Sequence, residues 1–472
     1  MIDYTLPLDR LPDPLPIEPL TKPFDVTITP PGSKSITCRA YVLAALAQGE
    51  SKLTRPLRAD DTDRLLEALC TLGAEARWEG DDVYIKGVGG RFPRGGSVNL
   101  GDGGTPTRFM IACACLAAEP VIVDGSKRMR ERPIAEGVEM LRQLGAKIEY
   151  VEAEGRLPVR VTPSEKFVGG EIEVGQTRSS QFISALMLIA ATLKYELTIR
   201  FSGEITSVGY VHLTESVMRE WKLEADSELN PSYAEDDDDD PPDDLFRGSI
   251  SVRAQHIVAS DYWIEPDASG AVFWWTAVAL IQGSAVTCPR FNRFSAQPDF
   301  GVLDALKGAV VRGAWQVDGA PQGVRVAHRG ALSSILCDAS AFPDGALAVS
   351  AISSACHASS KVTGLRTLRV KETDRIAALA NELRKVGCVV ETGEDWIEIT
   401  PPTTQKGGTG ETRVPPSATP IIIETYNDHR MAMAFAVLGL AAPNGRRLAI
   451  RNPACVAKSY PTFWRDFAKL YQ

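Results

Sequence analysis

The residues best suited to chemistry cluster where small and basic side chains open apolar runs. In Pro30 to Gly49, PPGSKSITCRAYVLAALAQG, Lys34, Ser35 and Arg39 fall within about one and a half turns of a Pro-Gly turn and Ser33, a good N-cap. Similar openings carry Thr105 and Arg108 in GTPTR, Ser179, Ser180 and Gln181 in SSQF, and His429 and Arg430 in NDHRMAM. Loops add Lys127, Arg128, Arg130 and Arg132 in DGSKRMRERPI, and Lys458 in VAKSYP. A helix start holds roughly half a positive charge and unpaired N–H donors, so each opening suits an anion. Arginine adds a bidentate grip on carboxylate or phosphate. So many cations suit substrates with several negative charges, such as two phosphates and two carboxylates.

Two carboxylates lie among these cations. Asp344 stands at a helix start in FPDGAL, and Glu372 adjoins Lys371 in LRVKETDRI. Acids inside a basic site are either structural partners or proton-handling groups. Asp344 is also what an N-cap looks like, and Glu372 what a first-turn surface carboxylate looks like. Lys371 and Arg375 are four residues apart, which puts them on one face of a helix. Like charges so placed repel by a few tenths of a kcal/mol. A charge-assisted hydrogen bond to an anion between them, about 1.5–3 kcal/mol, reverses the sign.

The elements that must position these residues form a repeat. Six stretches, opening at Ser33, Thr105, Ser179, Asp267, Asp344 and Asp428, run apolar on every face, the pattern of a buried helix. Their starts recur every 72 to 88 residues. After most of them come a short β-rich piece and an amphipathic helix, as in residues 61–74, 132–146, 298–309 and 372–387. Two strand-like runs follow, such as ARWEG–DDVYIKG and VVETGE–DWIEIT. The unit is β-α-β-α-β-β, used six times, which predicts two domains of three units. Buried helices packed side by side can point their starts the same way, concentrating anion-binding ends. The acidic run Glu235 to Asp244 reads as a solvated insertion, and Gly407 to Pro416 as a second loop expansion.

The 472 residues suffice for two or three domains, and 44% hydrophobic content supports a large core. A net charge of −9 excludes a whole-chain nucleic-acid footprint. Nine cysteines without a CxxC pair read as buried small hydrophobes in a reducing cytoplasm, and five scattered histidines argue against a His-rich metal site. Residues 1–23 lack the basic start and apolar core of a signal peptide, and no apolar run is long enough to span a membrane. GSKS lacks the Gly-Lys-Ser/Thr order of a nucleotide phosphate loop.

PGSKS with Arg39 four residues on, GTPTR, RMRERP, SSQF, EPDAS, PDGAL, RVKETDR, YNDHRMAM and AKSYP occur in the order and spacing of the enolpyruvyl transferases. The chain resembles that family from about residue 24 to its C-terminus. The resemblance implies an α/β fold of two inside-out α/β domains, each of three β-α-β-α-β-β units around buried parallel helices, with the active site in the interdomain cleft. One domain, 32–262, is inserted into the other, 1–31 and 263–472, with crossings near Pro31–Gly32 and Ser260–Ile264. The implied reaction moves the enolpyruvyl group of phosphoenolpyruvate to the 5-hydroxyl of shikimate 3-phosphate and releases phosphate, with no metal or organic cofactor. Ser35 after Lys34, and the absence of cysteine from Gly125 to Pro133, set the chain apart from relatives acting on UDP-N-acetylglucosamine. By matching position, Lys34, Ser35, Arg39, Ser179, Ser180, Gln181, Ser207, Tyr210, Asp344 and Lys371 would hold shikimate 3-phosphate. Lys34, Gly104, Thr105, Arg128, Gln181, Arg375, Arg430 and Lys458 would hold phosphoenolpyruvate. Asp344 would take the hydroxyl proton, Glu372 with Lys34 would protonate the methylene carbon, and His429 would orient Glu372. The partners implied are these two small molecules alone, with no nucleic acid and no membrane, for a cytoplasmic monomer. The chain departs from the family pattern at Asp102, where asparagine is usual. An acid about 4 Å from a bound anion is unfavourable by ~4 kcal/mol at an effective dielectric near 20 before screening; the alternative is a side chain that points away and caps.

Overall fold

The structure, a computed structural model, describes residues 2–229, 248–292, 294–310, 315–320, 323–402 and 419–472. The acidic run and the loop expansion singled out above lie outside the described residues. By its internal contacts the chain divides into Lys34–Ile264, and Met1–Ser33 together with Glu265–Gln472.

The six apolar stretches become the helices Lys34–Leu46, Gly104–Ala114, Gln181–Ala190, Ala268–Leu280, Ala346–Ile352 and His429–Gly439. Every residue from Ile36 to Leu46 and from Ala268 to Ala279 is buried. With no polar face to offer water, such a helix is stable only inside a core; each fully buried large apolar side chain contributes roughly 1.5–3 kcal/mol. In each unit the three core helices all touch one another. The amphipathic kind covers them: Asp60–Leu72 buries Leu65, Leu69 and Leu72 on one stripe, and Arg375–Lys385 buries Ile376, Leu379 and Leu383.

The described strands form six sheets, and five share one pattern. Gly96–Asn99 runs parallel to Val121–Asp124, which pairs antiparallel with Val159–Thr162, which pairs antiparallel with Lys147–Tyr150. Val121 and Val123 are buried on the covered face while their neighbours turn outward, the alternation of a one-sided sheet. Two sheets take their outer parallel strand from a distant part of the chain. Tyr262–Trp263 pairs with Glu50–Thr54, and Asp25–Thr27 pairs with Ala285–Pro289. That borrowing closes each unit on itself although one interrupts the other in sequence. In the sixth sheet Ile421–Ile423 lies parallel to Leu448–Ile450, which pairs antiparallel with Leu15–Pro16.

Candidate active site

In the unit that holds Glu265–Gln472, several helix starts gather around one guanidinium. Asp374 caps the helix Arg375–Lys385 by accepting from Ala377 N at 3.0 Å, so Arg375 is its first residue. Lys371 lies outside that helix, in extended backbone after the 3-10 turn Arg366–Val370. The expectation of one helix face for Lys371 and Arg375 is therefore corrected: the cap stops the helix short of Lys371. The two cations meet at an anion instead. Asp344 Oδ1 lies 2.9 Å from Arg375 Nη1 and 3.3 Å from Lys371 Nζ.

Arg375 is 1% exposed and donates in three directions: Nη1 to Asp344, Nη2 to Glu372 Oε2 at 3.0 Å, and Nε to Asp428 Oδ2 at 2.7 Å. Burial opposes its charge, but Asp428, Glu372 and Asp344 outweigh burial and raise its pKa above the ordinary arginine value. Arg430 Nη2 lies 3.2 Å from Asp344 Oδ2, and Lys458 Nζ lies 2.9 Å from Glu372 Oε1. Asp344 thus contacts Lys371, Arg375 and Arg430, and Glu372 contacts Arg375 and Lys458.

The surroundings fix this web. Asp428 caps the helix His429–Gly439 by accepting from Arg430 N at 2.9 Å. His429 is fully buried, with Nδ1 3.8 Å from Asp428 Oδ1. Behind Asp344, the buried Asp299 accepts from Ser269 Oγ at the start of Ala268–Leu280. Burial pushes the Asp299 carboxyl above the usual range; Arg430 opposes that and Asp344 adds to it. Lys458 ends a 3-10 turn, Pro453–Lys458. Two residues on, Tyr460 OH accepts from Trp274 Nε1 at 3.1 Å and donates to Asp466 Oδ2 at 2.9 Å, anchoring the segment.

In the unit Lys34–Ile264, Lys34 Nζ lies 3.1 Å from Asp61 Oδ2, a carboxylate almost wholly buried in the first turn of Asp60–Leu72. The helix start favours that charge. Arg39 is 2% exposed and spends its donors on neutral acceptors: Thr214 Oγ1 at 2.8 Å, Ser35 O at 2.9 Å, Tyr210 O at 3.0 Å and Ser184 Oγ at 3.1 Å. Burial pushes its pKa down to about 10, which leaves it charged at neutral pH. Arg108 Nη1 donates to Gln181 Oε1 at 2.9 Å and to Gly104 O at 3.1 Å, joining the starts of two core helices. Ser179 Oγ accepts from Gln181 N at 3.3 Å, Ser180 is buried, and Ser35 and Thr105 are half-buried. Ser207 has φ +57° and its carbonyl accepts from Tyr210 N at 3.1 Å.

The basic run read as a loop contains a five-residue helix, Lys127–Glu131, because Ser126 caps it by accepting from Met129 N at 3.1 Å. Ser126 Oγ also donates to Asp102 Oδ1. The unusual acid therefore serves the cap of that helix. Arg128 is partly exposed and paired with Glu131 at 2.9 Å.

Asp344, Lys371, Glu372, Arg375, Arg430 and Lys458 form one connected cluster in their unit, with His429 beside its Asp428. In the other unit the bonds above link Ser35, Arg39 and Tyr210 in one group, and Gly104, Arg108 and Gln181 in a second. Sequence reasoning missed Asp428, Asp299 and Asp61 as members of the charged network. Asp428 and Asp61 had a visible signal, an acidic residue at a helix start; Asp299 in PDFG had none that distinguished it from a cap.

Among the described residues no helix is long and apolar enough to cross a membrane. The family model of EPSP synthase, 3-phosphoshikimate 1-carboxyvinyltransferase, matches residues 20–467. The 3-phosphoshikimate 1-carboxyvinyltransferase of Pectobacterium carotovorum subsp. carotovorum is 36% identical over 465 residues, covering 97% of this chain and 98% of the relative. The enzyme of the same name from Cellvibrio japonicus is 34% identical over 446 residues, covering 93% and 95%. Among solved structures, the EPSP synthase from Acinetobacter baumannii aligns with TM-score 0.75 at 23% identity, over 96% of this chain and 97% of that one. The enolpyruvyl transferase NikO from Streptomyces tendae aligns with TM-score 0.67 at 16% identity, over 97% of each. The structural likenesses carry the fold; the sequence likenesses carry the family.

Proposed function

The chain belongs to the EPSP synthase family and transfers the enolpyruvyl group of phosphoenolpyruvate to shikimate 3-phosphate; we propose that it does so with the Arg375-centred cluster and the helix starts around Lys34 acting on one pair of bound substrates. In this reading Lys34, Ser35, Arg39, Ser179, Ser180, Gln181, Ser207, Tyr210, Asp344 and Lys371 hold shikimate 3-phosphate. Lys34, Gly104, Thr105, Arg128, Gln181, Arg375, Arg430 and Lys458 hold phosphoenolpyruvate.

In the addition step, the 5-oxygen bonds to the enol carbon of phosphoenolpyruvate and gives its proton to Asp344. The methylene carbon gains a proton from Glu372, with Lys34 as the second donor, and His429 orients Glu372. In the elimination step the carbon–oxygen bond to phosphate breaks, phosphate leaves, and the methyl group returns a proton to the enzyme. The cations stabilise the charge on the tetrahedral intermediate, the usual largest contribution to such a barrier.

The observation that carries the assignment is that Arg375 donates to both Asp344 and Glu372 at 2.9 and 3.0 Å, so one fixed group spaces the base and the acid. The test is turnover of Asp344→Ala and Glu372→Gln, each expected to fall by about 10²–10⁴-fold with circular dichroism unchanged. A rate near that of the unaltered enzyme in either variant removes that residue's role. The reading also makes the enzyme a cytoplasmic monomer; nine free cysteines suit a reducing compartment.

A further inference from the structure

The helix Arg375–Lys385 carries a second buried polar group, two turns beyond Arg375. Glu382 is fully buried in the last turn of that helix. Desolvation disfavours an acidic side chain there, and so does the negative end of the helix dipole. Three donors offset both. Lys385 Nζ lies 2.6 Å from Glu382 Oε2, Glu424 N donates to the same oxygen at 3.1 Å, and Tyr426 OH donates to Oε1 at 2.8 Å. Lys385 belongs to the same helix. The other two donors lie between the strand Ile421–Ile423 and the helix His429–Gly439.

That connecting segment makes an unusual turn. Tyr426 and Asn427 have φ of +55° and +56°, and Asp428 N donates to Thr425 O at 2.8 Å, the pattern of a type I′ turn. Asparagine tolerates the left-handed region, but a tyrosine there is strained and stays only where its surroundings hold it. Tyr426 is 39% exposed, so packing alone does not hold it, and its hydroxyl is tied to Glu382. The turn ends on Asp428, which caps the next helix at Arg430 N and accepts from Arg375 Nε at 2.7 Å. One helix therefore grips one turn at two points, through Glu382 on Tyr426 and through Arg375 on Asp428.

We propose that Glu382, acting through Tyr426, is a positioning residue: it fixes the turn that aims Asp428 and Arg430, and with them Arg375, at the substrate. Glu382 itself holds no substrate and moves no proton. The inference rests on the functional reading above, in which Arg375 and Arg430 hold phosphoenolpyruvate.

The test is steady-state kinetics and thermal unfolding of Tyr426→Phe, Glu382→Gln, the two combined, and Lys385→Gln. Tyr426→Phe keeps the ring and removes one bond. It should raise KM for phosphoenolpyruvate by about 3- to 30-fold, the range of coupling carried through a packed network, and KM for shikimate 3-phosphate by less. Glu382→Gln should raise the same KM, and the double variant should fall short of the product of the two effects, because both act on one bond. Lys385→Gln leaves Tyr426 and Glu424 bonded to Glu382. It should lower the unfolding midpoint yet keep kcat and both KM values within about twofold, as for a site outside the network. An unchanged KM for phosphoenolpyruvate in Tyr426→Phe overturns the proposal. So does an equal rise in Lys385→Gln, which would assign the effect to stability, or full multiplication of the two effects in the double variant. Should Glu382→Gln fail to fold, Tyr426→Phe against Lys385→Gln decides alone. Arg430→Gln separates the two levels of failure. A raised KM for phosphoenolpyruvate there, beside an unmoved Tyr426→Phe, overturns the positioning role only; an unchanged one overturns the reading of Arg430 and the inference with it.

Discussion

Arg375 Nε donates to Asp428 Oδ2 at 2.7 Å, and both side chains are shut off from solvent, at 1% and 0% exposure. The bond ties the first residue of one helix to the cap of another, so the cluster is held by two backbone elements and not by flexible side chains alone. The same guanidinium holds Asp344 and Glu372. Geometry at the proposed acid and base therefore depends on a buried ion pair whose acidic member, Asp428, lies outside the proposed substrate contacts.

Breaking that pair should be costly. Asp428→Ala leaves a buried guanidinium short of one carboxylate and removes the cap on Arg430 N. The expected loss is about 3–5 kcal/mol of unfolding free energy, measured by urea denaturation. Asp428→Asn keeps the cap and should lose less. A loss under about 1 kcal/mol in Asp428→Ala would show that the pair does not hold the cluster.

Lys34 and Asp61 form the corresponding pair in the other unit. Lys34→Met is predicted to lower kcat by 100-fold or more. It also strands a buried carboxylate, which costs about 1–3 kcal/mol of stability. Adding Asp61→Asn should restore most of the stability and none of the turnover. Recovery of rate in the double variant would assign the loss to folding, not chemistry.

Asp299 gives a pH prediction. Its carboxyl is raised in the folded state, so the folded chain binds that proton more tightly than the unfolded chain. The stability this contributes is complete below the unfolded value and is lost as pH rises through the folded one. Relative to Asp299→Asn, which cannot titrate there, the unaltered protein should therefore lose stability as pH climbs from about 4 towards neutrality. Urea unfolding at a series of pH values reads the difference; a constant difference across that range contradicts the burial argument.

Gly137, in the helix Ala135–Gln143, lies so close to Phe182 that a methyl built on it would sit 1.9 to 2.1 Å from three ring atoms. Phe182 follows Gln181, so the contact helps set where that helix start points. Gly137→Ala should destabilise by about 1–3 kcal/mol through overpacking, despite alanine's better helix propensity, with thermal unfolding as the measurement.

Much of this organisation was legible in the sequence because it rests on local patterns. Apolar residues on every face announced the core helices, and period 3.6 announced the covering ones. Cations at the helix starts marked residues that the structure joins into charged clusters. The sheets' borrowed strands, Asp25–Thr27 and Tyr262–Trp263, were not legible, since a strand of two or three residues carries no period. Nor were the bonds of Lys371, because whether it joined the following helix depended on Asp374 acting as the cap. Arg132 looked like its neighbours in DGSKRMRERP, and only burial separates it from them. Asp102 reads from sequence either as an acid repelling the anion or as a capping side chain, and its bond from Ser126 Oγ fits the second.

The most direct test of the central claim is inorganic phosphate released from phosphoenolpyruvate, measured with shikimate 3-phosphate, with UDP-N-acetylglucosamine, and with neither. Phosphate should appear only with shikimate 3-phosphate, one for each phosphoenolpyruvate consumed. Release with UDP-N-acetylglucosamine instead, or equal release with no acceptor, would contradict it.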